Sequence, residues 1–204
     1  DSAEATSVAF ERVYQKSPAM QEEHKGVKVI AVFTHGPGIV YNTKRPITSV
    51  ADLSGLKFRI GGGMVNDISK ALGMNVTLKP APDSYELLST GVMDGTLFPA
   101  ESTDSFKIDK IVKHATVFPG GLYNTSFVFM MNPAKYDKMS ADEKKAIDAI
   151  SGEVAARIFG KGCGSPVWYD AMGGPSYASG GGISSGIISA GGALAGVATG
   201  GTDT

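Results

Sequence analysis

Apolar side chains at Val8, Ala9, Val13 and Tyr14, with Phe10 beside them, recur at helical spacing through residues 4–16 and predict an amphipathic helix there. A second short helix is expected over residues 19–24, stopped by Gly26. Residues 27–33 are instead a β-branched run of strand length, apolar enough to be buried on both faces. They lead into His35-Gly36-Pro37-Gly38, a turn by composition. Short elements then alternate: a capped helical turn at 49–53, a strand at 56–60, a break at Gly61-Gly62-Gly63, and a helix over 65–72 closing at Gly73. A strand at 76–79, a helix at 84–89, a strand at 95–98, a short helix at 104–110 and a strand at 115–118 follow. This alternation predicts an α/β fold with a mostly parallel sheet covered on both faces.

Residues 126–132 read as a further strand, in which Phe127, Val128 and Phe129 alternate with nothing strongly polar. Pro133 opens a helical stretch, and Ser140 with Glu143 forms a capping box that starts or restarts it. Ala146, Ile147, Ile150, Val154 and Ile158 carry the stripe on to about residue 159, so a long two-part helix is expected. The pattern then fails. No Lys or Arg follows Lys161, and residues 173–204 are almost entirely small or β-branched. Such a stretch buries little per residue and has much backbone entropy to lose, so residues 162–204 read as a disordered or non-native tail. A glycine-spaced membrane helix is the lesser reading, for lack of Leu, Phe and basic anchors.

Composition narrows the chemistry. Of 204 residues, 42% are hydrophobic and 19% charged, which is ordinary for a soluble chain with a core. A net charge of -1 without a basic block gives no nucleic-acid footprint. One cysteine, Cys163, allows no internal disulfide, and His24, His35 and His114 are too dispersed for a metal cluster; no metal or cofactor is expected. The three glycines at 61–63 precede a helix and could cradle an anion, but no Gly-Lys-Ser/Thr follows, which excludes a nucleotide loop. Cys163 has no nearby histidine to activate it, and nothing fixes the spacing of Asp94 and Glu101 as an acid–base pair. An enzyme is therefore the second reading, distinguished by turnover of a candidate ligand. A ligand sensor on the same fold is the third, distinguished by its gene neighbours.

The densest motif is Asn42-Thr-Lys-Arg-Pro-Ile-Thr-Ser-Val-Ala-Asp-Leu-Ser-Gly-Leu-Lys-Phe-Arg59. Ala71-Leu72-Gly73, Asp83-Ser84-Tyr85, Leu88 to Gly95 and Asn132 to Ile147 follow at compatible spacing. Together these five blocks resemble the TRAP transporter solute-binding proteins, the DctP family, over about residues 8–160. The resemblance implies an incomplete, two-lobed fold of periplasmic-binding-protein type. Residues 1–34 would be a remnant of lobe one, 35–120 the ligand-anchoring lobe two, and 121–161 the return strand and connecting helix. About the family's first hundred residues would lie outside this sequence, so little binding is expected from these residues alone. The resemblance further implies a periplasmic, monomeric receptor, working with TRAP permease subunits and binding rather than converting its ligand.

Arg59 is the implied anchor, pairing its planar guanidinium fork with a substrate carboxylate. The alternative is a solvated arginine or a partner of Asp52. A second arginine that many members carry before the Asn-x-x-x-Pro-Ile element is absent here, where Gly36-Pro37-Gly38-Ile39 stands. Thr96-Leu97-Phe98-Pro99 replaces a usual Gln-Glu-Asn-Pro. One cation with an apolar surround suits a monocarboxylate, aromatic or keto/hydroxy. Phe98 and Tyr123 either line the ligand body or belong to the core. His35 belongs to the hinge or reaches the ligand's polar end, and Tyr85 stands at the cleft edge or in the core. Glu101 and Ser102 follow a strand end, where α/β ligands collect or where solvated caps sit.

Overall fold

The structure is a computed structural model describing residues 2–118, 120–163, 186–189 and 195–196. In chain order these form α1 (Ala3–Lys16), α2 (Pro18–Glu23), β1 (Lys28–Thr34), β2 (Gly38–Asn42), β3 (Lys57–Ile60), α3 (Met64–Ala71), β4 (Asn75–Leu78) and α4 (Ser84–Ser89). They continue with β5 (Gly95–Pro99), α5 (Glu101–Ser105), β6 (His114–Thr116), β7 (Ser126–Met131), α6 (Pro133–Asp137), α7 (Ala141–Ile150) and α8 (Glu153–Gly162). Two short strands, β8 (Gly186–Ser189) and β9 (Ala195–Gly196), come last. Most of the segment expected to be a disordered tail lies outside the described residues. Where it is described, β8 pairs antiparallel with β6, closing a sheet edge that would otherwise keep open amides.

The chain divides into two compact units. The first contains residues 2–36 and 124–163; the second is built on Pro37–Tyr123 with β8 and β9.

In the first unit β1 and β7 pair antiparallel, Phe33 opposite Phe127. The face of β1 away from β7 is closed by a helix. Ser7 and Glu11, four apart on α1, meet the amides of Thr34 and Val32, two apart on β1, at 3.0 and 2.8 Å. The spacings match because four helical residues rise about 6 Å and two strand residues about 6.7 Å. The Gly152 amide bonds Ile30 O at 2.7 Å along the same edge. The periodicity of apolar residues missed this arrangement: Val13 is 55% exposed, while the polar Ser7 and Glu11 are 0% and 1% exposed. α8 crosses α1 where Gly160 lies against Ala3 and Ser7, so close that a Cβ would sit 2.7 Å from Ala3 O. The expected long helix breaks at Gly152, whose φ of 65° favours glycine.

The second unit is a mixed sheet in the order β4-β3-β5-β2-β6-β8-β9. β3 runs parallel to β4 and β5, but β2 is antiparallel to both β5 and β6. The mostly parallel sheet expected from the sequence is corrected by β2, which begins at Gly38, the last residue of the His35-Gly36-Pro37-Gly38 stretch that reads as a turn. Its Ile39-Val40-Tyr41 core is buried on both faces. Ile39, Tyr41, Phe98 and Ala115 pack on one side with Leu88 and Ile108. Val40, Phe58, Ile60 and Leu97 pack on the other with Leu53, Leu56 and Val65. The helix expected at 104–110 ends instead at Ser105, where the chain turns through a left-handed Lys107.

Glu11 accepts the Val32 amide where water does not reach. Glu11→Ala should therefore lower unfolding free energy by about 2–3 kcal/mol, the cost of an orphaned buried donor. Glu11→Gln, which keeps a carbonyl acceptor, should lose less; denaturant titration measures both.

Candidate functional site

Most polar residues of the Asn42–Arg59 block are consumed by the fold. Asn42 Oδ1 accepts the amides of Lys44 and Arg45 at 2.9 and 3.0 Å, turning the chain after β2. Arg45 donates to Ser54 O at 2.6 Å. Asp52 accepts the amides and hydroxyls of Thr48 and Ser49, which holds its carboxyl at about 2. The Asp94-Gly95 pair is framing as well. Asp94 Oδ2 accepts the Lys57 amide at 2.9 Å, and a Cβ on Gly95 would lie 2.4 Å from Tyr41 O.

Arg59 is different. It is the third residue of β3, flanked in the ladder by Thr77 of β4 and Thr96 of β5, and only 4% exposed. Its Nε donates to Lys79 O at 2.9 Å, and its guanidinium carbon stands 4.6 Å from the centroid of the Phe98 ring. Among the described residues its two terminal nitrogens have no hydrogen-bond acceptor. Burial lowers the pKa of the group, with Tyr123 and Asp83 opposing the shift, yet a guanidinium stays charged at any physiological pH. A buried cation with free donors is costly unless an anion joins it.

A groove of about 350 Å³ opens at this point, lined by Arg59, Gly61, Gly62, Leu78, Lys79 and Pro80. It lies beyond the carboxyl ends of the parallel strands β3 and β4, the usual ligand side of an α/β sheet. Phe98 is 6% exposed and stacked on Phe106 at 5.2 Å, so its ring forms the floor beneath the guanidinium as well as part of the core. Tyr123 is half-buried. Burial pushes its phenol well above the usual range, Arg59 pulling it back and Glu101 adding to the rise.

The second unit thus brings Arg59 and Phe98 together, while Tyr123 packs against the cluster of Val40, Phe58 and Leu97 on the other face of the sheet. His35 belongs to the first unit, where it is buried, pairs its Nδ1 with Gly36 O, and stands 5.9 Å from the Phe127 ring. Asn124 Nδ2 donates to the His35 carbonyl at 3.0 Å. Tyr85 is 51% exposed on α4, outside both core clusters. Sequence reasoning missed Lys79, whose carbonyl fixes Arg59 and whose position lines the groove. The available signal was its place, with Pro80, just past the end of a strand. Among the described residues no group of three or more His, Cys, Asp or Glu is placed to hold a metal.

The sequence profile of the bacterial extracellular solute-binding proteins, family 7 (DctP), matches residues 1–160. The chain is 32% identical over 156 residues to the outer membrane transporter protein TsaT of Comamonas testosteroni, covering 76% of this chain and 46% of that protein. A TRAP periplasmic solute-binding protein from Bordetella bronchiseptica, with bound (R)- and (S)-mandelate, is similar in structure with a TM-score of 0.77 at 42% identity. That likeness covers 84% of this chain and 54% of the other. A marine-metagenome TRAP solute-binding protein specific for aromatic acids, crystallised with 3-hydroxybenzoate, gives 0.76 at 37% identity, covering 85% and 56%. The chain therefore spans about half the length of these relatives.

Burial lowers the His35 pKa, so the unfolded chain takes up a proton before the folded one does. Stability should be full above the unfolded value of about 6.5 and fall as pH drops below it. Thermal unfolding followed between about pH 5 and pH 7 should show a smaller slope in His35→Gln than in the wild type.

Proposed function

The chain belongs to the DctP family of bacterial extracellular solute-binding proteins, and on that premise we propose that it is the ligand-anchoring part of a periplasmic receptor for a small organic monocarboxylate. The receptor hands its ligand to a TRAP-type membrane permease and performs no chemistry on it. The observation that carries this reading is the Arg59 guanidinium, 4% exposed, with both terminal nitrogens unanswered among the described residues.

A carboxylate arriving at those two nitrogens completes a planar, two-point pair. In a site with little water the pairing is stronger than on an open surface, which favours tight capture of an acid over its neutral analogues. The Nε bond to Lys79 O fixes the fork before the ligand arrives, so little side-chain entropy is lost on binding. The body of the ligand meets Phe98, apolar in bulk, which suits an aromatic or keto/hydroxy acid better than a second charged group. Mandelate and 3-hydroxybenzoate, held by the two similar receptors, are both aromatic monocarboxylates. His35 and Tyr85 are further contact candidates.

A thermal-shift screen of keto, hydroxy and aromatic acids against the full-length gene product identifies the ligand. With mandelate or 3-hydroxybenzoate as probe, Arg59→Ala should abolish binding measurable by calorimetry. Arg59→Lys, which keeps the charge but loses the fork, should weaken it by part of the ~2–5 kcal/mol that such a buried pair carries. Wild-type affinity in the alanine variant rejects the assignment.

A further inference from the structure

Gly61, Gly62 and Gly63 follow β3 directly, and the first of them has no reason in the fold to be glycine. Gly63 adopts a φ of 68°, a conformation that favours glycine. Gly95, on the neighbouring strand, is required by packing, because a Cβ there would press on Tyr41 O. Gly61 meets neither demand. Its φ is not positive, and a Cβ built on it would find no atom within 4 Å. Yet a glycine costs stability in such a place, since it loses more freedom on folding than any other residue.

Its location supplies the reason. Phe58 and Ile60 face one side of the sheet, and Arg59 lies over Phe98 on the other. Alternation carried one step past β3 therefore sets Gly61 on the side of Arg59. The Lys79 amide donates to Ile60 O at 3.1 Å, which keeps the neighbouring strand in register up to this point. Gly61 and Arg59 both line the groove of about 350 Å³, with Leu78 and Pro80 as its apolar wall. Leu78 is 54% exposed, so apolar surface is left uncovered close to the cation. A glycine beside a strand that packing does not require marks a place where something approaches the backbone closely.

We propose that Gly61 is a specificity-determining residue of the anchor site: the side chain it lacks leaves the space that the body of the ligand fills once Arg59 holds its carboxylate. This rests on the carboxylate-receptor reading above and names what sets the permitted size of the acid. A methyl group at position 61 stands in the groove without touching the guanidinium. Ring-bearing acids then lose their place, while the shortest acids, whose atoms all lie near the carboxylate, still fit.

The test measures dissociation constants of 3-hydroxybenzoate and propionate by calorimetry, on the full-length gene product and its Gly61→Ala and Gly61→Val variants. Affinity for 3-hydroxybenzoate should fall about tenfold in Gly61→Ala, the worth of one small group in a fitted pocket, and further in Gly61→Val. Propionate should bind all three proteins within about threefold of one another. Without ligand, Gly61→Ala should melt no lower than the wild type, because alanine restricts the unfolded chain and meets nothing in the folded one. Binding of 3-hydroxybenzoate to Gly61→Val within about threefold of wild type overturns the inference. So does an equal loss of both acids, which would mean that the added side chain disturbs Arg59. A ligand-free Gly61→Ala that melts well below the wild type also overturns it, by giving the space to another part of the polypeptide. Should Gly61→Val fail to fold, Gly61→Ala decides alone on the same comparisons. A wild-type protein that binds neither acid overturns the receptor reading itself, a different result from binding both with no change in the variants.

Discussion

Arg59 carries a charge that no accessible pH removes into a place nearly closed to water, and the surrounding sheet is arranged to make that tolerable. One nitrogen is answered by Lys79 O, the guanidinium carbon stands over the Phe98 ring, and the remaining donors, without an acceptor among the described residues, are those proposed above to take an anion. Placing the group on a strand between two parallel neighbours, instead of on a loop, fixes it to within the tolerance of the ladder. The same side chain on the surface would be hydrated and would discriminate poorly between an acid and water.

Holding β3 in that place requires much of the polar inventory around it. Asp94 bonds the Lys57 amide, Gly95 lets β5 approach Tyr41 and Phe58, and Asn42 and Asp52 turn and cap the segment between β2 and β3. These residues make the family motif recognisable while themselves being consumed by the fold. A sequence motif of this kind is therefore mostly scaffold, with Arg59 the side chain that the framework leaves unused.

In the first unit the same economy of polar groups serves a different end. Among the described residues β1 has a strand partner on one side only, and its other edge is answered by Ser7, Glu11 and the Gly152 amide. An edge satisfied in this way offers no template for a further strand, which is one means of keeping a short sheet from pairing with a stranger. Ion pairs such as Arg12 with Glu153 and Arg157 with Glu4 join α1 and α8 on the exposed side and add little. The close approach at Gly160 sets the packing.

Helices α1, α3, α7 and α8 and strands β1, β3, β4, β5 and β7 were legible in the chain, because apolar period and glycine or capping residues report local geometry directly. The family was legible from its ordered motifs, and with it the candidacy of Arg59. β2 was not, since Gly36, Pro37 and Gly38 look like a turn until their neighbours are known; that glycine-rich entry is needed because Tyr123 lies on it. Nor could periodicity reveal that Ser7 and Glu11 face inward, or that Lys79 lends its carbonyl to Arg59. Those facts depend on which backbone groups meet across the fold and need a partner. Local order follows from side chains a few residues apart, and the sequence determined it. Who answers a buried donor is decided between residues far apart, and only the tertiary structure settles that.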